Sequence, residues 1–81
     1  MNKAKLLRKL ASGSKNIRFV ELQAACKLFG FRLDRISGSH HIYIHPRVPE
    51  PVNIQNVKGQ AKPYQVKQLL SIIERHNMHM E

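Results

Sequence analysis

The apolar positions of this 81-residue chain change period along its length, and the changes divide it into elements. In residues 3–11 (KAKLLRKLA), Leu6, Leu7 and Leu10 form one stripe among basic residues, which predicts a short amphipathic helix. Ser12-Gly13-Ser14 ends it, with Gly13 suited to a left-handed cap. From Phe19 to Phe29, the positions Phe19, Leu22, Cys26 and Phe29 recur at helical spacing, widened by Ala25 and Leu28. Gly30 stops this second helix.

After Gly30 the period becomes two. Phe31, Leu33 and Arg35 alternate with Arg32 and Asp34, as in a half-buried strand, and Ile36 falls out of phase, marking a bulge or the strand end. Ser37-Gly38-Ser39 predicts a turn and His41 to His45 a second strand. Ile42 and Ile44 share one face of that strand; His41, Tyr43 and His45 share the other. Aliphatic side chains belong in a core. The expectation is therefore that the isoleucines and His40 point inward, and that His41, Tyr43 and His45 point outward or into a cleft.

Pro46, Pro49 and Pro51 predict a stiff connector over 46–51. Val52 to Val57 reads as a third strand and 58–62 as a polar loop. Pro63 suits the first turn of a helix that Val66, Leu69, Leu70 and Ile73 carry to about His76. Residues 77–81 read as a frayed tail. The order predicts an α+β domain: a three-stranded antiparallel meander with helices on one face and the other face exposed.

A chain of this length forms one small domain, whose site should be shallow and should accept something large. Fourteen Lys and Arg against five Asp and Glu give a net charge of +9, which favours RNA, DNA or an acidic protein as partner. No apolar run approaches the ~20 residues of a membrane-spanning helix, and the N-terminus lacks the apolar core of a signal peptide. The lone Cys26 needs no oxidising compartment and reads as a small buried hydrophobe. These features predict a cytoplasmic protein with no membrane role.

The candidate chemistry lies in Gly38-Ser39-His40-His41. A metal site would need three or four converging ligands. Although His40, His41 and His45 are close in sequence, and His76 and His79 follow later, neighbours on a strand point to opposite sides, and no Cys pair or HExxH accompanies them. RNA carries its own nucleophile, the 2′-hydroxyl, so a protein need only move protons and stabilise charge on phosphate. Histidine can do the first, and Lys or Arg the second. Gly38 would let backbone approach a phosphate, with Ser39 adding a hydrogen-bonding group. Lys58, Lys62, Arg35 and Arg47 lie near the loops around the sheet, and Tyr43 could stack on a base. Two alternatives stay open: a non-catalytic RNA- or DNA-binding module, and a protein-interaction domain that meets an acidic partner.

GFRLDRISGSHHIYIHP, with the helix before it and the Val/Ile strand and KPYQVKQLLSII helix after it, resembles the HicA family of bacterial toxins over about Ile17 to Arg75. The resemblance implies a double-stranded-RNA-binding-domain-like fold and cleavage of messenger RNA without a cofactor. It also implies a HicB-type antitoxin that covers the active surface and largely sets the oligomeric state. The family's Gly-Ser-x-His motif falls on Gly38, Ser39 and His41, making His41 the implied catalytic residue. His40 occupies the variable position. Residues 1–16 then form an extra basic N-terminal helix, 17–76 the core and 77–81 a tail. Asn56-Val57-Lys58-Gly59 departs from the Pro/His-rich segment that many members carry there.

Overall fold

The computed structural model describes residues 2–13 and 15–80. Ser14 of the predicted turn and Glu81 of the predicted tail lie outside the described residues, as does Met1. The elements are α1 (Lys3–Ala11), α2 (Phe19–Leu28), β1 (Arg32–Ser37), β2 (His40–His45), β3 (Val48–Gln55) and α3 (Pro63–Arg75), the predicted order.

Each helix stops where its backbone chemistry requires. Asn2 caps α1 by accepting from the Lys5 N–H at 3.0 Å, and Gly13 leaves it with a φ of +79°. At the end of α2, the N–H groups of Gly30 and Phe31 donate to Lys27 and Cys26 at 3.0 Å, and Gly30 has a φ of +87°. This is a Schellman cap, which satisfies carbonyls that would otherwise be orphaned. Pro63 opens α3, where its missing N–H costs nothing.

The strands form one antiparallel meander, β1-β2-β3. A register shift between Leu33 and Arg35 accounts for the phase slip seen at Ile36. The predicted connector over 46–51 is not a loop. The chain turns at Pro46-Arg47, and β3 begins at Val48, so Pro49 and Pro51 lie within a strand. Because β3 is an edge strand, a residue without an N–H is tolerated there.

Leu6, Leu10, Phe19, Leu22, Cys26, Phe29 and Phe31 pack with Tyr43, Val52, Ile54, Val66, Leu69 and Ile72 in a single core on one face of the sheet. The tail does not fray at once: the Met78 N–H donates to Ile73 at 3.0 Å, and its side chain packs on the core.

The faces of β2 are the reverse of the expectation. Tyr43 is 1% exposed and pairs across the sheet with Val52, while His41 pairs with Ile54 and His45 with Val48. His41, Tyr43 and His45 therefore face the helices. Ile42, Ile44 and His40 face away, and Ile42 is covered there outside the core cluster, flanked across the strands by Arg35 and Asn53. The physical reason is that each inward ring combines an apolar body with a polar tip. The His41 ring meets Phe19 edge-on at 4.7 Å and that of His45 meets Phe31 at 5.2 Å. Tyr43 accepts a hydrogen bond from the Gln23 amide at 3.2 Å. Three large amphipathic rings thus fill the layer facing the helices, each with a partner from α2 or Phe31.

Candidate active site

The reversal moves His41 from an open sheet face to a rim. It lies partly exposed where the end of the sheet meets the N-terminus of α2, with one side of its ring against Phe19. Its Nδ1 is 3.4 Å from the Ser39 carbonyl oxygen. With the proton on Nδ1, that long contact orients the ring and leaves the Nε2 lone pair free to take a proton.

The turn beside it is held from three directions. Gly38 has a φ of +60°, as a two-residue hairpin turn of the II′ type requires, and a Cβ there would meet nothing within 4 Å. Space for a bound group therefore lies outside it. The Ser39 carbonyl accepts from the Asn56 N–H at 3.0 Å, and the Ser39 hydroxyl accepts from the Gln55 amide at 3.2 Å. Gln55 is in turn fixed by donating its backbone N–H to the buried Gln65 side chain of α3 at 2.8 Å. The turn is thus tied through β3 to α3.

Residues 56–61 bring basic charge to the same end. Lys58 and Gly59, with φ of +52° and +83°, form a two-residue turn of the I′ type, closed by paired Val57 and Gln60 hydrogen bonds of 3.0 Å. Asn56 braces it by accepting from the Gly59 N–H at 2.7 Å. The turn is stitched to the start of α2: the Phe19 N–H donates to Gly59 and that of Ala61 to Ile17, both at 2.9 Å. The N-termini of α2 and α3 consequently point to the end of the sheet that carries His41. Their partial positive charge favours an anion there.

At the start of α2, burial alone would raise the Glu21 carboxyl. The Arg18 N–H at 2.9 Å, the Lys9 ammonium at 3.0 Å and the charge of Arg18 outweigh it and hold the group below its ordinary range. Burial pushes the Tyr43 hydroxyl up, against the pull of the Gln23 hydrogen bond. Burial also pushes the Cys26 thiol up to about 12, so Cys26 is packing, as its position in the sequence suggests.

Of the sequence candidates, the structure gathers Gly38, Ser39, His41, Lys58 and Lys62 at one end of the molecule. It does not gather Arg35, which pairs with Ile42 on the far face and bonds Asp34 at 2.8 Å. Tyr43 is buried and cannot stack on a base. His45 is buried at the opposite end of β2, where its Nδ1 accepts from the Arg47 N–H at 3.1 Å. Among the described residues, no three His, Cys, Asp or Glu side chains form a group able to hold a metal.

Sequence reading missed Phe19 as a platform for His41, the Gln65–Gln55–Ser39 brace, and Tyr64. The last is 60% exposed in the first turn of α3, with the Lys62 ammonium 5.7 Å from its ring centre. Val20, Ile36 and Val57 are also exposed at this end. An aromatic just after a helix-initiating proline and an outward Val beside Phe19 were the available signals.

Comparisons with curated proteins and with solved structures find no match. The family model described as "HicA toxin of bacterial toxin-antitoxin" matches residues 20–74, from the second residue of α2 to the penultimate residue of α3, leaving α1 outside. That match covers more than half of the chain, includes the Gly38-Ser39-x-His41 turn and agrees with the order helix, three antiparallel strands, helix: the chain belongs to the HicA family of toxins from bacterial toxin–antitoxin systems.

Proposed function

We propose that the chain is an endoribonuclease that cleaves messenger RNA in the cytoplasm by proton transfer at His41. The observation that carries this reading is the convergence of one half-exposed imidazole, an open glycine turn and two helix N-termini with Lys58 and Lys62. As base, His41 Nε2 takes the 2′-hydroxyl proton while that oxygen attacks the adjacent phosphorus. The 5′-oxygen leaves with a proton from water, giving a 2′,3′-cyclic phosphate and a 5′-hydroxyl. As acid, protonated His41 supplies the leaving-group proton instead, and water takes the proton of the 2′-hydroxyl. Gly38 and Ser39 shape the approach of the phosphate, Lys58 and Lys62 stabilise its charge, and Tyr64 offers a face for a base. The mechanism needs no cofactor.

A HicB-type antitoxin is the proposed inhibitor. Val20, Ile36, Val57 and Tyr64 supply exposed apolar area around the site for it to bury, and acidic residues would complement the basic surroundings.

The test is end-labelled RNA incubated with the purified protein and with His41→Ala, each with and without EDTA. Cleavage should survive EDTA and fall 10²–10⁴-fold in the variant, about 3–5 kcal/mol of barrier. Equal cleavage by both proteins removes His41 from the mechanism. Salt-sensitive retention of RNA with no new fragment ends would instead identify a non-catalytic RNA-binding module.

A further inference from the structure

Basic groups also meet at the other end of the sheet. Arg32, Ile44, His45, Pro46, Arg47 and Gly30 line an open notch of about 500 Å³. His45 is its buried wall, 6% exposed. Because the Arg47 N–H donates to Nδ1, the neutral His45 ring carries its proton on Nε2 and is itself a donor. Pro46 and Arg47 form the two-residue turn between β2 and β3, and Pro46 stiffens it. Arg32 opens β1 opposite Ile44, on the face away from the helices. Arg35 lies on the same face, midway along the edge strand, with Asp34 as its neighbour. The C-terminus of α2 also lies here, but its Schellman cap satisfies the last carbonyls, and its partial negative charge is smaller than two guanidinium charges.

We propose that this notch is a second phosphate-binding subsite for the same RNA strand, with Arg32 and Arg47 holding the backbone at a fixed distance from the cleaved bond. The inference rests on the endoribonuclease reading above. A strand rises about 3.3 Å per residue, so the notch beside Arg32 lies roughly 17 Å along β1 from the Ser37 end next to the His41 site. An RNA strand stacked at about 3.4 Å per nucleotide covers that span with roughly five nucleotides. Arg35 guides the backbone between the two sites along the exposed edge. The arrangement selects a single strand lying along β1, and it makes catalysis depend on substrate length. An acidic protein segment is the competing occupant; a line of arginines leading from the catalytic end favours one continuous polyanion.

The experiment compares wild type with an Arg32→Gln/Arg47→Gln double variant on unstructured RNA. One substrate extends about ten nucleotides on each side of the cleaved bond, and a second extends only about two, too short to reach the notch. Wild type should cleave the long RNA more efficiently. The double variant should lose about tenfold or more in kcat/KM on the long RNA and nothing on the short one, with an unchanged melting temperature. In a His41→Ala background, the same pair of changes should lower the log–log salt slope of binding to the long RNA by roughly 1.4, two contacts at about 0.7 each for a single strand. Unchanged kcat/KM and salt slope on the long RNA would overturn the subsite, even if the double variant then escaped inhibition by an acidic partner. Failure of wild type to cleave either RNA would instead overturn the reading on which the subsite rests.

Discussion

Replacing Tyr43 tests the reversal of β2 directly, because a surface ring and a core ring respond in opposite ways. Tyr43 is 1% exposed, lies opposite Val52, and its hydroxyl accepts a 3.2 Å hydrogen bond from the Gln23 amide. Truncating a large buried aromatic typically costs about 3–5 kcal/mol. A domain of this size has only about 4–12 kcal/mol in total, at roughly 0.05–0.15 kcal/mol per residue. Tyr43→Ala should therefore remove about a quarter or more of the stability or prevent folding. Tyr43→Phe keeps the packing and removes one hydrogen bond whose donor, Gln23, is only partly buried. It should cost about 0.5–1 kcal/mol. For a domain this small, that lowers the melting temperature by roughly 2–8 °C. Ile36→Ala, at a residue 55% exposed, is the control and should stay within about 0.5 kcal/mol. Urea unfolding monitored by circular dichroism, with the m-value checked for constancy, measures all three. If Tyr43→Ala melts with wild type and instead weakens RNA binding in a His41→Ala background, the ring is a surface stacking group and the core described above is wrong.

Lys58 holds a left-handed conformation that asparagine also accepts, so Lys58→Asn separates charge from backbone. The melting temperature should hold or rise slightly, while RNA affinity falls and its salt slope drops by about 0.7; a drop in melting temperature with unchanged affinity would make Lys58 merely structural. Glu21 has its folded-state pKa below the ordinary value of 4.5, so its contribution to stability is present above that pH and lost as the pH falls through the folded value. Unfolding midpoints of Glu21→Gln measured from pH 6 down through the carboxylate range, about pH 5 to 3, should fall less steeply than those of wild type; parallel curves would show that the Lys9 and Arg18 contacts contribute nothing. The Cys26 thiol, buried and pushed up to about 12, should react with a thiol reagent at pH 8 only at the rate of unfolding, and urea should accelerate it; prompt labelling of the folded protein would contradict the packing of α2.

Local chemistry made much of this protein readable from its sequence. Leucine spacing and Gly13 bounded α1, Phe19 to Leu28 kept a helical period up to Gly30, and Pro63 opened α3, because each signal acts through the backbone within one turn. Gly38-Ser39-x-His41 was legible for the same reason, and so was the net charge of +9. Two local signals misled. The prolines of 46–51 look like a connector until the strand that holds them is known to lie at an edge. The alternation in His41 to His45 separated two sets of side chains correctly but could not say which set was inside, because imidazole and phenol rings can pack as well as an isoleucine when a partner meets the polar atom.

Only the tertiary structure settled that choice, through Phe19, Gln23 and Phe31 on one side and Val52 and Ile54 across the strands. It likewise joined the Lys58-Gly59 turn to the start of α2 and the Ser39 turn to α3 by hydrogen bonds between segments far apart in the chain. The sequence by itself singled out His41, at the start of a strand after a Gly-Ser turn, as the candidate for the proton chemistry. The packing of α2 over β2 decided where that residue stands: at a rim with one side of its ring in the core, and not on an open sheet. Burial depends on what lies opposite, and no local pattern contains that information.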